Sequence, residues 1–437
     1  MNGTGARAAG ATAAGRVVDR RVIFAGAIGS IIEYYDFGIY GYLSASLAAV
    51  FFVQGDPAAG LLAAFATFAA AFVLRPLGGL IFGHIGDRIG RKKTLATTVI
   101  AMALATFAIG VLPSYAAVGA FAAVLLVIGR CVQGVASGGE IGGAASYVAE
   151  CSPAHRRGLL CSTTQLGALF GALLASVVVT LFTAMLGDDT MVAWGWRIPF
   201  LIGLPLGLVG LWSRTRLEDS PQFTDMAERG EVAKAPLREL FADSRAALAR
   251  TLGLSVLLFA AYSVVYVYAA THLQKVGGFS ALTAFWSTIA TLAVSCALMP
   301  VFGALSDRVG RKPMFLGASI ATLVLVFPGF VAMDGHGATL AVLAQVVLGI
   351  PESALMAVAF STFAEMFPAR VRYSGIALGF NLASMAVGGT APYICTWLIV
   401  RTGDPLAPAW FLAAAAVVTM ATTFTLRESV GTALRTS

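Results

Sequence analysis

Six ionisable side chains stand inside long apolar runs of this 437-residue chain: Glu33, Asp36, Arg75, Arg130, Glu140 and Glu352. An ionisable group at bilayer depth costs about 2.5–3.5 kcal/mol on insertion scales, so each marks a functional site by default. Their spacing groups them. Glu33, Asp36 and Tyr40 follow i, i+3, i+7 and share one helix face; Arg130, Gln133, Ser137 and Glu140 follow i, i+3, i+7, i+10 and share another. Gly134, Gly138 and Gly142 run beside the second stripe and permit close approach of a neighbouring helix. Helix rise places Glu33 about 16 Å into its run and Arg75 about 18 Å from the same surface, level enough to pair. Three acids (Glu33, Asp36, Glu140) face two cations (Arg75, Arg130), which leaves one carboxylate over. Burial raises the pKa of an unpaired carboxylate and a nearby arginine lowers it. A cluster of this kind takes up or releases a proton according to whether an anion occupies the arginines, the physical requirement for proton symport.

The elements that must hold these groups follow from composition. Hydrophobic residues make up 58% of the chain and charged residues only 12%, against roughly 25% charged in a soluble domain. A bilayer crossing takes about 20 apolar residues. Twelve runs qualify: 22–52, 58–83, 94–112, 116–149, 159–186, 195–213, 248–272, 281–303, 314–333, 338–365, 374–400 and 407–426. The reading is an all-α polytopic membrane protein with twelve transmembrane helices in two pseudo-symmetric six-helix halves. Its segments are a cytoplasmic disordered tail (1–20), a first half (21–213), a cytoplasmic linker (214–247), a second half (248–427) and a cytoplasmic tail (428–437). Of 29 Lys and Arg residues, only Arg197, Lys275 and Arg401 fall on the side opposite the termini, and only Arg75 and Arg130 lie within runs. That bias is the positive-inside pattern and puts both termini in the cytoplasm of a cell inner membrane protein. The net charge of +7 is therefore topological, and no nucleic-acid partner is expected.

The halves are legible as a repeat. GHIGDRIGRKK at 83–93 recurs as GALSDRVGRKP at 303–313; Glu150, Pro153 and Arg157 recur as Glu365, Pro368 and Arg372. The second offset maps Arg130 onto Gln345 and Ser137 onto Glu352. Two such halves with a site between them at mid-membrane are the plan of many secondary transporters.

The 83–93 loop, with Gly83, Asp87, Arg88, Gly90, Arg91 and Lys92, resembles the signature loop of the major facilitator superfamily. IEYYDFGIYG (32–41), LRPLGGLIFGHIGDR (74–88), GRCVQGVASGGEIGG (129–143), WGWRIPFLIG (194–203) and FPARVRYSG (367–375) resemble its metabolite:proton symporter branch. Members of that branch carry citrate, 2-oxoglutarate, shikimate, aromatic carboxylates, or proline and betaine. The resemblance implies a cytoplasmic gate in which Asp87, Arg88 and Arg91 work with Glu150, and Asp307, Arg308 and Arg311 with Glu365.

The expected function is proton-coupled import of a small organic acid by alternating access. Glu33, Asp36 and Glu140 carry the proton; Arg75 and Arg130 meet the cargo carboxylate; Tyr40, Gln133, Glu352, Tyr266 and Asn381 complete the binding site. Tyr262, Tyr268 and Trp286 are further candidates to shape the pocket. In the competing reading, fixed ion pairs simply neutralise the acids. Two alternatives stand beside it, symport of a zwitterionic compatible solute such as proline or betaine, and a non-transporting sensor on the same scaffold. The short end after the last run leaves no room for a long coiled-coil tail, which speaks against osmoregulation. No phosphate-binding loop is present, so ATP does not drive the cycle; the proton gradient is the energy source, with no cofactor. His84, His155, His272 and His336 fall in or near loops without metal spacing, and the five cysteines follow none either. No enzyme and no metal site are expected. Helix 5 lacks the Gly-Pro signature of the superfamily's antiporters. The partners are lipid bilayer, solute and protons, with one chain functioning as a monomer.

Overall fold

The computed structural model describes residues 20–52, 57–89, 91–215, 236–335 and 337–434. The expected tail before residue 20 and most of the expected linker lie outside the described residues. In chain order the spanning helices are α1 (Arg20–Tyr42, continued by Ser44–Phe51), α2 (Pro57–Ile89), α3 (Arg91–Gly110) and α4 (Phe121–Ser137 and Ile141–Cys151). Next come α5 (Arg157–Leu186), α6 (Arg197–Thr215), α7 (Arg245–Ala261, Tyr262–Tyr268 and Ala269–Lys275) and α8 (Ala281–Val309). The last four are α9 (Arg311–Met333), α10 (Ala338–Met366), α11 (Ala369–Ala383, Ser384–Gly388 and Ala391–Thr402) and α12 (Ala407–Phe424).

Nine of the described helices are long and apolar enough to cross a bilayer, ten when the bent pair Asp188–Gly195 and Arg197–Ser213 counts as one. The remaining two are α1, which carries Glu33 and Asp36 in its middle, and α3, whose apolar part is the shorter Ala96–Gly110. The outer surface of the bundle is apolar, as contact with lipid tails demands. Trp194, Trp212, Trp286, Trp397 and Trp410 are each 47–61% exposed, and among the tryptophans only Trp196 is fully buried. Trp286 thus faces outward, away from the pocket it was expected to shape.

Inside, close backbone contact sets the geometry. A Cβ at Gly134 would collide with the carbonyl of Ala71, and one at Gly138 with the carbonyl of Arg75, so α4 lies directly on α2. That contact is what the glycine stripe called for. The polar stripe beside it is not continuous: α4 breaks into a turn at Gly138–Glu140, and Glu140 begins the second segment. In α10, Pro351 removes one intrahelical hydrogen bond next to Glu352. In α7 and α11 a π turn interrupts the helix, at Tyr262–Tyr268 and Ser384–Gly388, a distortion that recurs at functional sites. The helical linker end, Pro236–Asp243, is pinned by a buried Leu240.

Candidate functional site

Midway along α1, both acids have found cations or donors. Glu33 Oε1 accepts from Arg75 Nη2 at 2.5 Å, the pair that helix rise anticipated. Arg75 also donates Nε to Asn381 Oδ1 at 3.3 Å, and Asn381 Nδ2 donates to the Gly138 carbonyl at 3.1 Å. Arg75 thereby joins α1 and α2 to α11, which belongs to the other half.

Asp36 sits in a second knot within the first half. Its Oδ1 accepts from Thr106 Oγ1 at 2.5 Å and Gln133 Nε2 at 2.6 Å. Gln133 Oε1 in turn accepts from Arg130 Nη1 at 2.8 Å, and Arg130 stands 3.9 Å from Asp36 Oδ2. The Arg130 guanidinium lies 4.3 Å from the Tyr40 ring centre, with Phe37 and Phe68 beyond 5 Å. Aromatic faces of this kind stabilise a desolvated cation. The Tyr40 hydroxyl donates to the Ala64 carbonyl at 3.0 Å, which holds its ring in place. Thr106 and the two phenylalanines escaped the sequence reading, since a threonine or phenylalanine in an apolar run carries no mark of its own. Glu140 is 3% exposed at the α4 break, close enough to Glu33 to act on it electrostatically.

The second half answers with a different chemistry. Gln345, equivalent to Arg130 by the repeat, accepts from Ser287 at 2.5 Å and donates to the Val265 carbonyl at 2.9 Å and Thr288 at 3.2 Å. A neutral network replaces the charged one. Glu352 is completely buried, and neither of its carboxylate oxygens has a hydrogen-bond partner among the described residues. Tyr266, with its hydroxyl 2.9 Å from Ser295 Oγ and 3.1 Å from the Gly349 carbonyl, is fixed beside it. His272, expected near a loop, is instead 1% exposed inside α7, packed on Phe330 and Tyr268 with both ring nitrogens unpartnered. Among the described residues no group of three or more His, Cys, Asp or Glu side chains is placed to hold a metal ion.

At the end bearing the chain termini the halves are cross-linked by a reciprocal exchange. Glu365 pairs with Arg157 at 3.0 Å, and Glu150 with Arg372 at 2.8 Å, so each repeat's glutamate takes the other repeat's arginine. Arg311 binds Glu365 at 3.0 Å and Asp307 at 3.0 Å, while Asp307 accepts the backbone N–H groups of Gly158 (2.7 Å) and Leu159 (2.9 Å) at the start of α5. The side chains of Asp87, Arg88 and Arg91 lie outside what the structure describes, and the described partner of Glu150 is Arg372. Arg308 is exposed and stands apart from the cluster that holds Asp307 and Arg311. The last described residues strap this end: Ser429 donates to Glu365 at 2.6 Å, and the Thr432 carbonyl accepts from Arg157 at 3.1 Å. Arg157 and Arg372 stood in the repeated motifs, but their crossed pairing is a property of the assembled halves. At the opposite end Ser44 and Thr271 approach to 3.5 Å, so the halves touch at both ends.

Residues 22–247 match the family model described as Sugar (and other) transporter, and residues 278–435 that of the Major Facilitator Superfamily. The chain is 36% identical to the proline/betaine transporter of Escherichia coli (strain K12) over 95% of its length and 85% of the relative's. It is 35% identical, with the same coverage, to the glycine betaine/proline/ectoine/pipecolic acid transporter OusA of Dickeya dadantii (strain 3937). Among solved structures, the proton:xylose symporter XylE bound to 6-bromo-6-deoxy-D-glucose superposes with a TM-score of 0.78 at 20% identity, covering 95% of this chain and 97% of that one. These relatives overturn the expectation of an organic-acid cargo. The geometry supplies the reason. That expectation had Arg75 and Arg130 meet the cargo carboxylate, whereas Arg75 is paired with Glu33 and Arg130 stands 3.9 Å from Asp36, and among the described residues the carboxyl group with neither oxygen partnered is that of Glu352.

Proposed function

Because the chain belongs to the major facilitator superfamily, as a multi-pass membrane transporter and not an enzyme, we propose that it imports a zwitterionic compatible solute of the proline and betaine type together with protons. The observation that carries this reading is the balance of charge at mid-membrane. Two acid–arginine pairs cancel, and beyond them Glu352 is completely buried with neither oxygen partnered among the described residues. A zwitterion brings the missing positive charge and leaves the site no more negative than before. Net-anionic cargo brings no positive end for that carboxyl group and repels its ionised form in low dielectric.

Asp36 is the proton carrier in this reading. Its carboxylate has one oxygen held by Thr106 and Gln133, and its other oxygen faces Arg130 at a separation longer than a hydrogen bond. Protonation of Asp36 frees Arg130 from its counter-charge, and deprotonation restores the pair, so proton occupancy changes the electrostatics of the first half. Glu33 holds Arg75 and, through it, Asn381 of the other half. A proton on Glu33 loosens a contact between halves and so couples charge to rocking. Glu140 adds its charge to the same group, while Tyr40 and Gln133 position Arg130. The crossed pairs Arg157–Glu365 and Arg372–Glu150, with Asp307 and Arg311, act as the cytoplasmic gate. In this reading both termini face the cytoplasm across the inner membrane, in accord with the arginine and lysine bias, and a single chain contains the whole pathway.

Uptake of labelled betaine, proline, citrate and shikimate into proteoliposomes, with and without an inward proton gradient, tests the reading. Accumulation of betaine or proline that requires the gradient supports it; gradient-independent equilibration, or uptake of the acids alone, overturns it.

A further inference from the structure

Glu352 is the middle residue of its helix, and its surroundings are aromatic. Tyr34 of α1 and Tyr262 of α7 meet edge to face across the two halves, with ring centres 5.1 Å apart. Tyr262 meets Tyr266 in the same manner at 5.7 Å. The Tyr266 hydroxyl reaches the Gly349 carbonyl of α10, one turn before Glu352, at 3.1 Å. All four residues lie near the centres of their spanning helices, at the seam between halves, where transporters of this plan bind cargo.

The polar atoms here are unspent. Both oxygens of Glu352 and the hydroxyl of Tyr262 lack hydrogen-bond partners among the described residues, although Glu352 is fully buried. Tyr266 differs: Ser295 and the Gly349 carbonyl hold its hydroxyl and so fix the direction of its ring. A buried carboxyl group without a partner keeps its proton until something supplies the opposite charge. In the first half that something is an arginine. Here no cation pairs with it among the described residues, and the tyrosine rings that run from Gly349 across the seam offer faces that attract cations. A primary ammonium ion needs hydrogen-bond acceptors on three sides, whereas a quaternary ammonium has no N–H to satisfy and is recognised by ring faces plus one diffuse negative charge.

We propose that Tyr34, Tyr262, Tyr266 and Glu352 form a subsite for the alkylated ammonium end of the cargo, with Glu352 as its counter-ion. The inference rests on the zwitterion reading above and names the end of the molecule that is recognised. The Tyr34–Tyr262 contact closes the seam when the subsite is empty, and the cargo head parts the two rings.

The test uses the full-length protein in vesicles of phosphatidylethanolamine and phosphatidylglycerol, with labelled glycine betaine, dimethylglycine and proline under one inward proton gradient. Glu352→Gln is expected to raise the KM for betaine at least tenfold. Tyr262→Leu raises it by a similar factor, more for betaine than for proline, while Tyr262→Phe keeps the ring face and stays within threefold of wild type. Melting of the purified proteins adds a second readout: addition of betaine raises the Tm of the wild type but not of Glu352→Gln or Tyr262→Leu. If wild type accumulates betaine and both variants retain its KM and its betaine-induced Tm shift, the subsite is overturned while the zwitterion reading stands. If wild type accumulates neither betaine nor proline, the zwitterion reading falls and takes the subsite with it. Should Glu352→Gln fail to fold, the Tyr262→Leu and Tyr262→Phe pair decides alone.

Discussion

The two halves of this protein treat buried charge in opposite ways. In the first half every mid-membrane charge whose contacts are described is answered: Glu33 by Arg75, Asp36 by Thr106, Gln133 and the nearby Arg130. In the second half the equivalent of Arg130 is the neutral Gln345, fully engaged with hydroxyls and a carbonyl, and the one carboxylate, Glu352, is unanswered. An internal duplication has thus kept the scaffold and divided the chemistry. One half gives each of its acids a cation or donor, and among the described residues the other leaves its mid-membrane carboxyl group without a partner.

The largest expected effect comes from cutting the closed circuit at its acid. Asp36→Asn keeps the shape and removes the titratable group, so gradient-driven accumulation falls by about 100-fold or more, while exchange of labelled for unlabelled solute persists. Full accumulation by this variant would move the proton elsewhere. Next is the arginine. Arg130→Ala leaves Asp36 buried beside a void, and breaking a buried pair costs about 3–5 kcal/mol; the melting temperature in detergent should fall by many degrees.

A direct contrast between halves is sharper still, though smaller. Glu33→Gln strands Arg75 and lowers the melting temperature of the cargo-free protein. Glu352→Gln removes an unsatisfied charge and raises it, by an amount on the order of 1–3 kcal/mol in stability. Shifts of the same sign would erase the comparison. At the gate, Arg372→Ala removes a partly exposed pair worth about 1 kcal/mol. Spin labels on the exposed His155 and Arg308 should then report a broader, longer distance distribution, and an unchanged one would mean the crossed pairs do not hold the halves.

The smallest effect is a pH dependence of the strap. Burial alone pushes the Glu428 carboxyl up, but the backbone N–H groups of Arg311, Lys312, Ser429 and Val430 outweigh it and hold it below its ordinary value of 4.5. A lowered folded pKa gives stability that is present above the ordinary value and lost as pH falls through the folded one. Protection factors for amide exchange across residues 428–434, corrected for the intrinsic pH dependence of exchange, should therefore be flat from neutrality to about pH 5 and fall only below the ordinary glutamate range.

The sequence made some of this plain and hid the rest for physical reasons. Charges in apolar runs stand out because they are costly, so Glu33, Asp36, Arg75, Arg130 and Glu352 were all visible, and helix rise was enough to pair Glu33 with Arg75. The Gly134 and Gly138 stripe announced the α2–α4 contact because only glycine lets backbones touch. Which cations remain free was not visible. It depends on partners such as Thr106 and Asn381, ordinary residues brought near by helices distant in sequence, and the cargo expectation failed on that point. The break at Gly138–Glu140 was hidden as well, since helical spacing presumes a helix that continues. His272 looked peripheral because α7 runs on to Lys275, one turn beyond the apolar run.

Asp307 has a consequence for the direction in which the machine rests. Its two oxygens cap the first turn of α5, a helix of the opposite half, at 2.7 and 2.9 Å. Rocking the halves apart at that end strips α5 of its cap, exposing bare N–H groups and the positive end of the helix dipole, a change worth about 1 kcal/mol. Water recovers only part of it. The opened face is accordingly under tension, and closure there runs downhill without help from cargo or proton. At rest this end favours contact between the halves, because a helix end there keeps its acceptor only while they touch.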